Sequence, residues 1–335
     1  MNAIDLLRAW RVILAGRRPS LAIEITRECP LSCPGCYAYD SNHLGGNGTL
    51  RELSDYQGPE LIRRVLLLVN EHNPLHVSFV GGEPLVRYRE LNTIIPLLLG
   101  RGIHIRLVTS AVRPIPSHWA LFRNFDLAVS VDGLMADHDA RRSPAIYSRI
   151  LKHIQGQKVT IHCTVTGPMM RRPGYLDEFL AFWAPRKEVK RVWFSLFTPQ
   201  RGASLAEMLT AADRQRFIQE LPALRRRYPE LDLSDRVERE FASPPASPEE
   251  CIFAQTTRTV SADLHTPVTP CQLGGDPDCA QCGCYASMGL AAVGNYRIAG
   301  LLPIAAILRA SQNRANARRE RAAPPNVVTI QPRRI

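Results

Sequence analysis

Leu21-Ala22-Ile23-Glu24-Ile25-Thr26-Arg27-Glu28-Cys29-Pro30-Leu31-Ser32-Cys33-Pro34-Gly35-Cys36-Tyr37 joins a short apolar run to three cysteines packed into eight residues. The run reads as a strand buried on both faces. Three thiolates at spacings of three and then two residues can wrap one iron–sulfur cubane while its fourth iron keeps no protein ligand; such clusters usually take four cysteines. An open metal position marks catalysis rather than a purely structural site. Pro30, Pro34 and Gly35 supply the tight, preset turns such a loop needs. The competing reading is structural zinc with His43 as fourth ligand, for which the wide Cys29–Cys33 spacing is unusual.

Outward from this stretch, strand-like and helix-like runs alternate between Ser20 and Gln200. The predicted strands are Leu21–Thr26, His76–Val80, Ile103–Thr109, Leu127–Asp132, Val159–Thr166 and Arg191–Phe197. Helices are predicted over Pro59–Asn70, Glu90–Leu99, Ala145–Gln155, Leu176–Trp183 and Ala203–Tyr228. Repeated βα units imply a parallel sheet with right-handed crossovers. Six such units, where a closed barrel takes eight, point to an α/β fold: a partial (β/α)6 TIM-type barrel with a small C-terminal cysteine-rich auxiliary domain. Chemistry then belongs at the carboxyl ends of the strands.

Two further strand ends are unusual. The second carries Val80-Gly81-Gly82-Glu83-Pro84 and the fourth Ser130-Val131-Asp132-Gly133. Together with Cys-x3-Cys-x2-Cys and Tyr37, and in this order, these motifs resemble the radical S-adenosylmethionine (radical SAM) superfamily over roughly residues 19–200. The resemblance implies that Cys29, Cys33 and Cys36 bind a 4Fe-4S cluster whose open iron chelates SAM. Gly81 and Gly82 would let the backbone approach its methionyl amine, Glu83 would complement that charge, Tyr37 would lie near the adenine, and Ser130 would contact the ribose or methionyl end. Reductive cleavage of SAM would yield a 5′-deoxyadenosyl radical for modifying a peptide or small metabolite. A reductant such as flavodoxin or ferredoxin is an implied partner.

The chain holds nine cysteines, an odd number and a poor disulfide framework. Cys163 stands alone in an apolar run and reads as a small buried side chain. Cys251, Cys271, Cys279, Cys282 and Cys284 crowd into one segment. The phrase from Val260 to Cys271 resembles the hairpin of SPASM or twitch auxiliary-cluster extensions, although no glycine lies between Cys251 and Cys271 and the full late cysteine set is missing. One auxiliary iron–sulfur cluster on Cys251, Cys271, Cys279 and Cys282 is expected, with Cys284 the alternative to Cys282 and zinc the alternative metal.

The division expected is an amphipathic helix over 1–18 (Ile4, Leu7, Trp10 and Leu14 on one side), the core over 19–242, the cysteine-rich region with an apolar segment over 249–310, and a basic flexible tail over 311–335. No apolar run approaches the ~20 residues of a membrane-spanning helix, and no signal peptide is evident, so a cytoplasmic protein is expected. The formal charge of +11 raises nucleic acid as a partner, but no aromatic-and-basic recognition motif accompanies it. A zinc-bearing nucleic-acid-binding protein is therefore the alternative from another class. The other alternative is a lipid or isoprenoid substrate. Cys282 to Val293 loosely resembles hopanoid-related members, and the basic ends would suit peripheral membrane contact.

Overall fold

A computed structural model describes residues 10–46, 48–298 and 301–322. The chain divides into two compact units, one of Arg18–Asn295 and one combining Met1–Arg17 with Tyr296–Ile335.

In the larger unit eight strands form one sheet in the order β6-β5-β4-β3-β2-β1-β7-β8. β1 (Ser20–Glu24), β2 (His76–Val80), β3 (His104–Thr109), β4 (Phe125–Ser130), β5 (Val159–Val165) and β6 (Val189–Leu196) each pair in parallel with the next. All six predicted strands are present, and the architecture is the partial TIM-type barrel. One face of this sheet, including Ile23, Phe79, Leu107, Val129, Ile161 and Phe194, packs against the helices in a single apolar core. Cys163 lies on that face with no solvent exposure.

β7 (Thr257–Val260) pairs in parallel with β1, so the cysteine-rich segment is stitched to the barrel edge. β8 (Pro267–Val268) folds back antiparallel on β7, which is the hairpin expected there. The division expected near 242–249 is accordingly no boundary between compact units, because both sides belong to Arg18–Asn295.

Two of the helices that differ from expectation bear on the site and its surroundings. The one predicted from Ala203 starts at Ala211, because Thr210 caps it: its hydroxyl accepts from the Asp213 N–H at 3.1 Å, and the Asp213 carboxylate accepts from the Thr210 N–H at 3.0 Å. The helix Met135–Arg142 was not predicted; its polar sequence carries no apolar period.

In the smaller unit, residues 10–14 are helical, β9 (Arg297–Ile298) pairs with β10 (Leu302–Pro303), and a helix spans Ile304–Ala322. The expected flexible tail is thus helical from 311 as far as Ala322, in keeping with its alanines and arginines, both good helix formers. Ile4 and Leu7 of the expected N-terminal helix, and residues 323–335, lie outside the described residues. Among the described residues no helix is long and apolar enough to cross a membrane.

Cys163→Ala should retain the full iron content of the protein and cost about 1 kcal/mol in denaturant unfolding. Iron analysis beside the melt distinguishes this packing cysteine from the ligand candidates.

Candidate active site

The Cys29–Cys36 loop leaves β1 at the carboxyl edge of the sheet, and its backbone rests on the end of β2. Gly82 N–H donates to the Thr26 carbonyl at 2.9 Å, and Glu83 N–H donates to the Glu28 carbonyl at 2.8 Å. A Cβ at Gly82 would stand 2.2 Å from the Glu28 carbonyl oxygen, and one at Gly81 would stand 2.8 Å from the Glu24 Cα, at a φ of +111°. The two glycines therefore have a purpose beyond the one the sequence suggested. They let the cysteine loop cross the second strand end.

Glu83 is buried, and its carboxylate accepts from Thr109 Oγ1 at 2.5 Å, Ser110 N–H at 2.7 Å and Leu85 N–H at 2.9 Å. Burial nonetheless pushes its pKa up. Ser130, at the end of β4 and in register with His162 of β5, is also buried. Neighbouring groups that the sequence reading missed complete this edge. The buried Asp132 carboxylate accepts from Arg142 Nε at 2.7 Å and Arg141 Nε at 3.2 Å. Burial alone would raise Asp132, but Arg142 and Arg141 outweigh it and hold it well below the usual carboxylate range. Arg142 also donates to Ser110 Oγ at 3.0 Å, and Arg141 to the Pro34 carbonyl at 2.9 Å. Both arginines lie close enough to Cys33 to favour its thiolate, although burial dominates and raises the thiol. Burial pushes Cys29 up to about 11. The arginines come from the unpredicted helix, which is why they went unseen.

Tyr37 lies between the two cysteine groups. Its ring centroid is 5.7 Å from that of His43, and burial, Glu24, Cys36, Cys284 and Cys271 all raise its hydroxyl. His43 is fully buried and both its ring nitrogens are engaged, Nε2 with Glu24 Oε1 at 2.8 Å and Nδ1 with the Leu273 carbonyl at 3.1 Å. The zinc reading that used His43 as a fourth ligand is corrected by these contacts, which leave it no lone pair for a metal. Ser261 Oγ donates to the other oxygen of Glu24 at 2.6 Å.

All five late cysteines, Cys251, Cys271, Cys279, Cys282 and Cys284, line one small enclosed cavity. Cys251 Sγ lies 3.2 Å from Ser287 Oγ. The loop bearing Cys282 and Cys284 is anchored on β6: Leu196 N–H donates to the Gly283 carbonyl at 2.9 Å, and a Cβ at Gly283 would stand 2.2 Å from Leu196 Cβ. Arg214 donates to the Gln281 and Cys282 carbonyls at 3.1 and 2.7 Å. Burial raises all four shifted thiols, Cys279 to about 11 and Cys284 to about 12. Nearby, Ser195 Oγ accepts from Tyr285 N–H at 3.0 Å and lies 2.8 Å from His162 Nε2, joining the barrel face of β5 to this loop.

Residues 23–171, which contain the three-cysteine loop, both glycines, Glu83 and Asp132, match the family model described as the radical SAM superfamily. Over these residues the chain carries a radical SAM domain. A PqqA peptide cyclase of Xanthomonas campestris pv. campestris is 26% identical over 294 residues, covering 83% of this chain and 73% of that protein. A PqqA peptide cyclase of Bradyrhizobium diazoefficiens is 33% identical over 93 residues, 28% of this chain and 22% of the relative. Among solved structures, native anSMEcpe with bound AdoMet aligns with a TM-score of 0.53 at 19% identity, covering 73% of this chain and 72% of its own. Streptococcus suis SuiB bound to precursor peptide SuiA aligns with a TM-score of 0.51 at 17% identity, covering 78% and 63%. These two likenesses establish the shared fold.

The radical SAM match over residues 23–171 implies a 4Fe-4S cluster and SAM. The residues present suit the cluster. Three thiols share one short loop, and the Cys29 and Cys33 thiols are raised chiefly by burial, with nearby acidic groups adding to it, a balance that coordination to iron would reverse by supplying positive charge.

The Glu24–His43 pair carries a test of its own. Burial alone would lower His43, but the hydrogen bond and charge of Glu24 outweigh it, so the histidine is raised above its ordinary value. The stabilisation is therefore fully present below the unfolded pKa of about 6.5 and is lost as pH rises through the folded value. His43→Leu strands a buried carboxylate and should cost about 3–5 kcal/mol. In denaturant melts, the gap between variant and parent should be wider at about pH 6 than at about pH 9. A gap independent of pH would show that the histidine is not charged in the fold.

Proposed function

We propose that this radical SAM enzyme modifies a peptide. In this reading Cys29, Cys33 and Cys36 hold the catalytic cluster, while SAM lies against Gly81, Gly82, Glu83 and Ser130. A second iron–sulfur cluster sits on Cys251, Cys271, Cys279 and Cys282, or Cys284 in place of Cys282. The observation carrying it is that one buried carboxylate, Glu24, is hydrogen-bonded both to the segment after the first cysteine loop and to the hairpin that precedes Cys271. The two cysteine groups thus share one rigid frame at the carboxyl edge, with Tyr37 between them. The likeness of most of the chain to peptide cyclases supports the peptide as substrate.

The cofactors supply a carbon-centred radical able to take a hydrogen atom from an unactivated carbon. The chain's own residues bind, orient and exclude water. Arg142, fixed by Asp132 and Ser110, offers a guanidinium beside Cys33 to an anionic group, and a carboxylate such as that of SAM suits it. Glu83 holds the ends of β2 and β3 together through Thr109 and Ser110. His162 is pushed down to about 4 by burial, so it stays neutral near neutral pH and presents a hydrogen-bonding edge rather than a charge.

With dithionite and SAM under anaerobic conditions, Cys33→Ala should abolish release of 5′-deoxyadenosine, because two thiolates do not hold a cubane. Cys271→Ala should keep the absorbance of the first cluster and lose the iron of the second. Unchanged iron in the latter would remove the second cluster from the proposal.

The substrate class is tested with deuterated short peptides encoded beside the gene. The expected result is deuterium in the 5′-deoxyadenosine and a mass change in the peptide. Release that is independent of every peptide and carries no deuterium would refute it.

A further inference from the structure

The inner face of the barrel sheet stays in contact with solvent. Along β2, β3 and β5 the residues packed on the helices, Val77, Phe79, Leu107, Ile161, Cys163 and Val165, have no exposure. Alternating with them, Ser78, Val108, His162 and Thr164 are only partly covered. Successive side chains of a strand point to opposite faces, so these four line the interior of the barrel. His162 differs from the other three in offering a ring nitrogen to that space. Its Nε2 lies 2.8 Å from Ser195 Oγ, and among the described residues nothing bonds its Nδ1.

The hydrogen-bond count assigns the proton on this ring. Burial pushes His162 down to about 4, so near neutral pH the ring is uncharged and carries one proton. Ser195 Oγ already accepts from the Tyr285 N–H at 3.0 Å. Among the described residues, His162 Nε2 is the only acceptor within reach of the Ser195 hydroxyl hydrogen. The hydroxyl therefore donates to Nε2, and the ring proton sits on Nδ1. A donor on a solvent-lined wall can exchange water for an acceptor of a ligand.

The frame behind the ring is built. Tyr285 stacks on Trp193 with centroids 4.9 Å and planes 16° apart, and its hydroxyl donates to the Asp232 carbonyl at 2.6 Å. His162 is in register with Ser130, at the proposed SAM site, while Ser195 holds the residue that follows Cys284. The ring is thus joined to both cysteine-bearing regions, on the face where a peptide entering the barrel would lie.

We infer that His162 is a substrate-binding residue whose Nδ1–H donates to a carbonyl oxygen of the peptide inside the barrel, with Ser195 holding the ring in its donating tautomer. This role rests on the peptide being the substrate. No bond is made or broken at His162; it supplies orientation, keeping the reacting carbon within reach.

Two measurements test this role. On the full oxidised chain near neutral pH, the ring ¹⁵N shifts of His162, identified by their loss in His162→Phe, should place the proton on Nδ1. Ser195→Ala should move the ring towards the Nε2-protonated form. A proton on Nε2 in the parent would overturn the role. In turnover with dithionite, the probe is a peptide that passes deuterium to 5′-deoxyadenosine. His162→Phe should raise the KM for this peptide about five- to tenfold, the size of one lost hydrogen bond, and that for SAM far less. His162→Asn, whose amide nitrogen can stand near the place of Nδ1, should recover most of the loss. Cys163→Ala, on the same strand but facing the helices, should match the parent. An equal rise in both KM values would overturn the role by placing His162 in SAM binding. An unchanged peptide KM would also overturn it, and so would a loss in His162→Asn as large as in His162→Phe, which would reduce the ring to packing. Should the unaltered chain cleave SAM yet exchange deuterium with no peptide, the peptide reading itself fails whatever the tautomer, and the role falls with it.

Discussion

Glu24 is the constraint around which the molecule is arranged. A carboxylate with no solvent exposure on a sheet of apolar strands carries a desolvation penalty that only close partners offset. Its two partners come from separate parts of the chain: His43 follows the first cysteine loop, and Ser261 opens the hairpin before the second cysteine group. Gly81 is bare because the backbone of Glu24 passes within what would be contact distance of its side chain. The ordering of three segments is thereby tied to one ionisable group. Any shift of one segment relative to the others would strand it.

The same economy appears at the outer edge of the site. Asp132 gathers Arg141 and Arg142, and these in turn reach the cysteine loop through the Pro34 carbonyl and the end of β3 through Ser110. One anionic centre thus fixes two cations beside Cys33. The electrostatics of the carboxyl edge are set by a network of fixed partners rather than by exposed charge, so salt screens it little.

How much of this was legible in the sequence depended on the kind of signal. The barrel strands announce themselves as short apolar runs, and the cysteine spacings with the paired glycines mark the site. The helix Met135–Arg142 carries no apolar stripe, so its arginines were invisible although Asp132 was in plain view. Thr210 and Asp213 spelled a capping box inside a stretch that read as continuous helix. The pairing of β7 with β1 and the burial of His43 against Glu24 join residues far apart in the chain, and no local pattern encodes such partnerships. Tyr37 illustrates the limit best: its position after Cys36 gives no hint that Cys271 and Cys284 lie close to it as well.

The parallel pairing of β1 with β7 also bears on biosynthesis. Ser261 bonds Glu24 across 237 positions of sequence, so the strand that carries the cysteine loop leaves the ribosome early and waits for its neighbour until most of the chain has been made. Contacts of such long range form late and slowly. Until then the open flank of β1 is an unpaired edge, the kind of surface on which nascent chains associate. The frame around the first cysteine loop is therefore complete only once the chain has been made through Ser261.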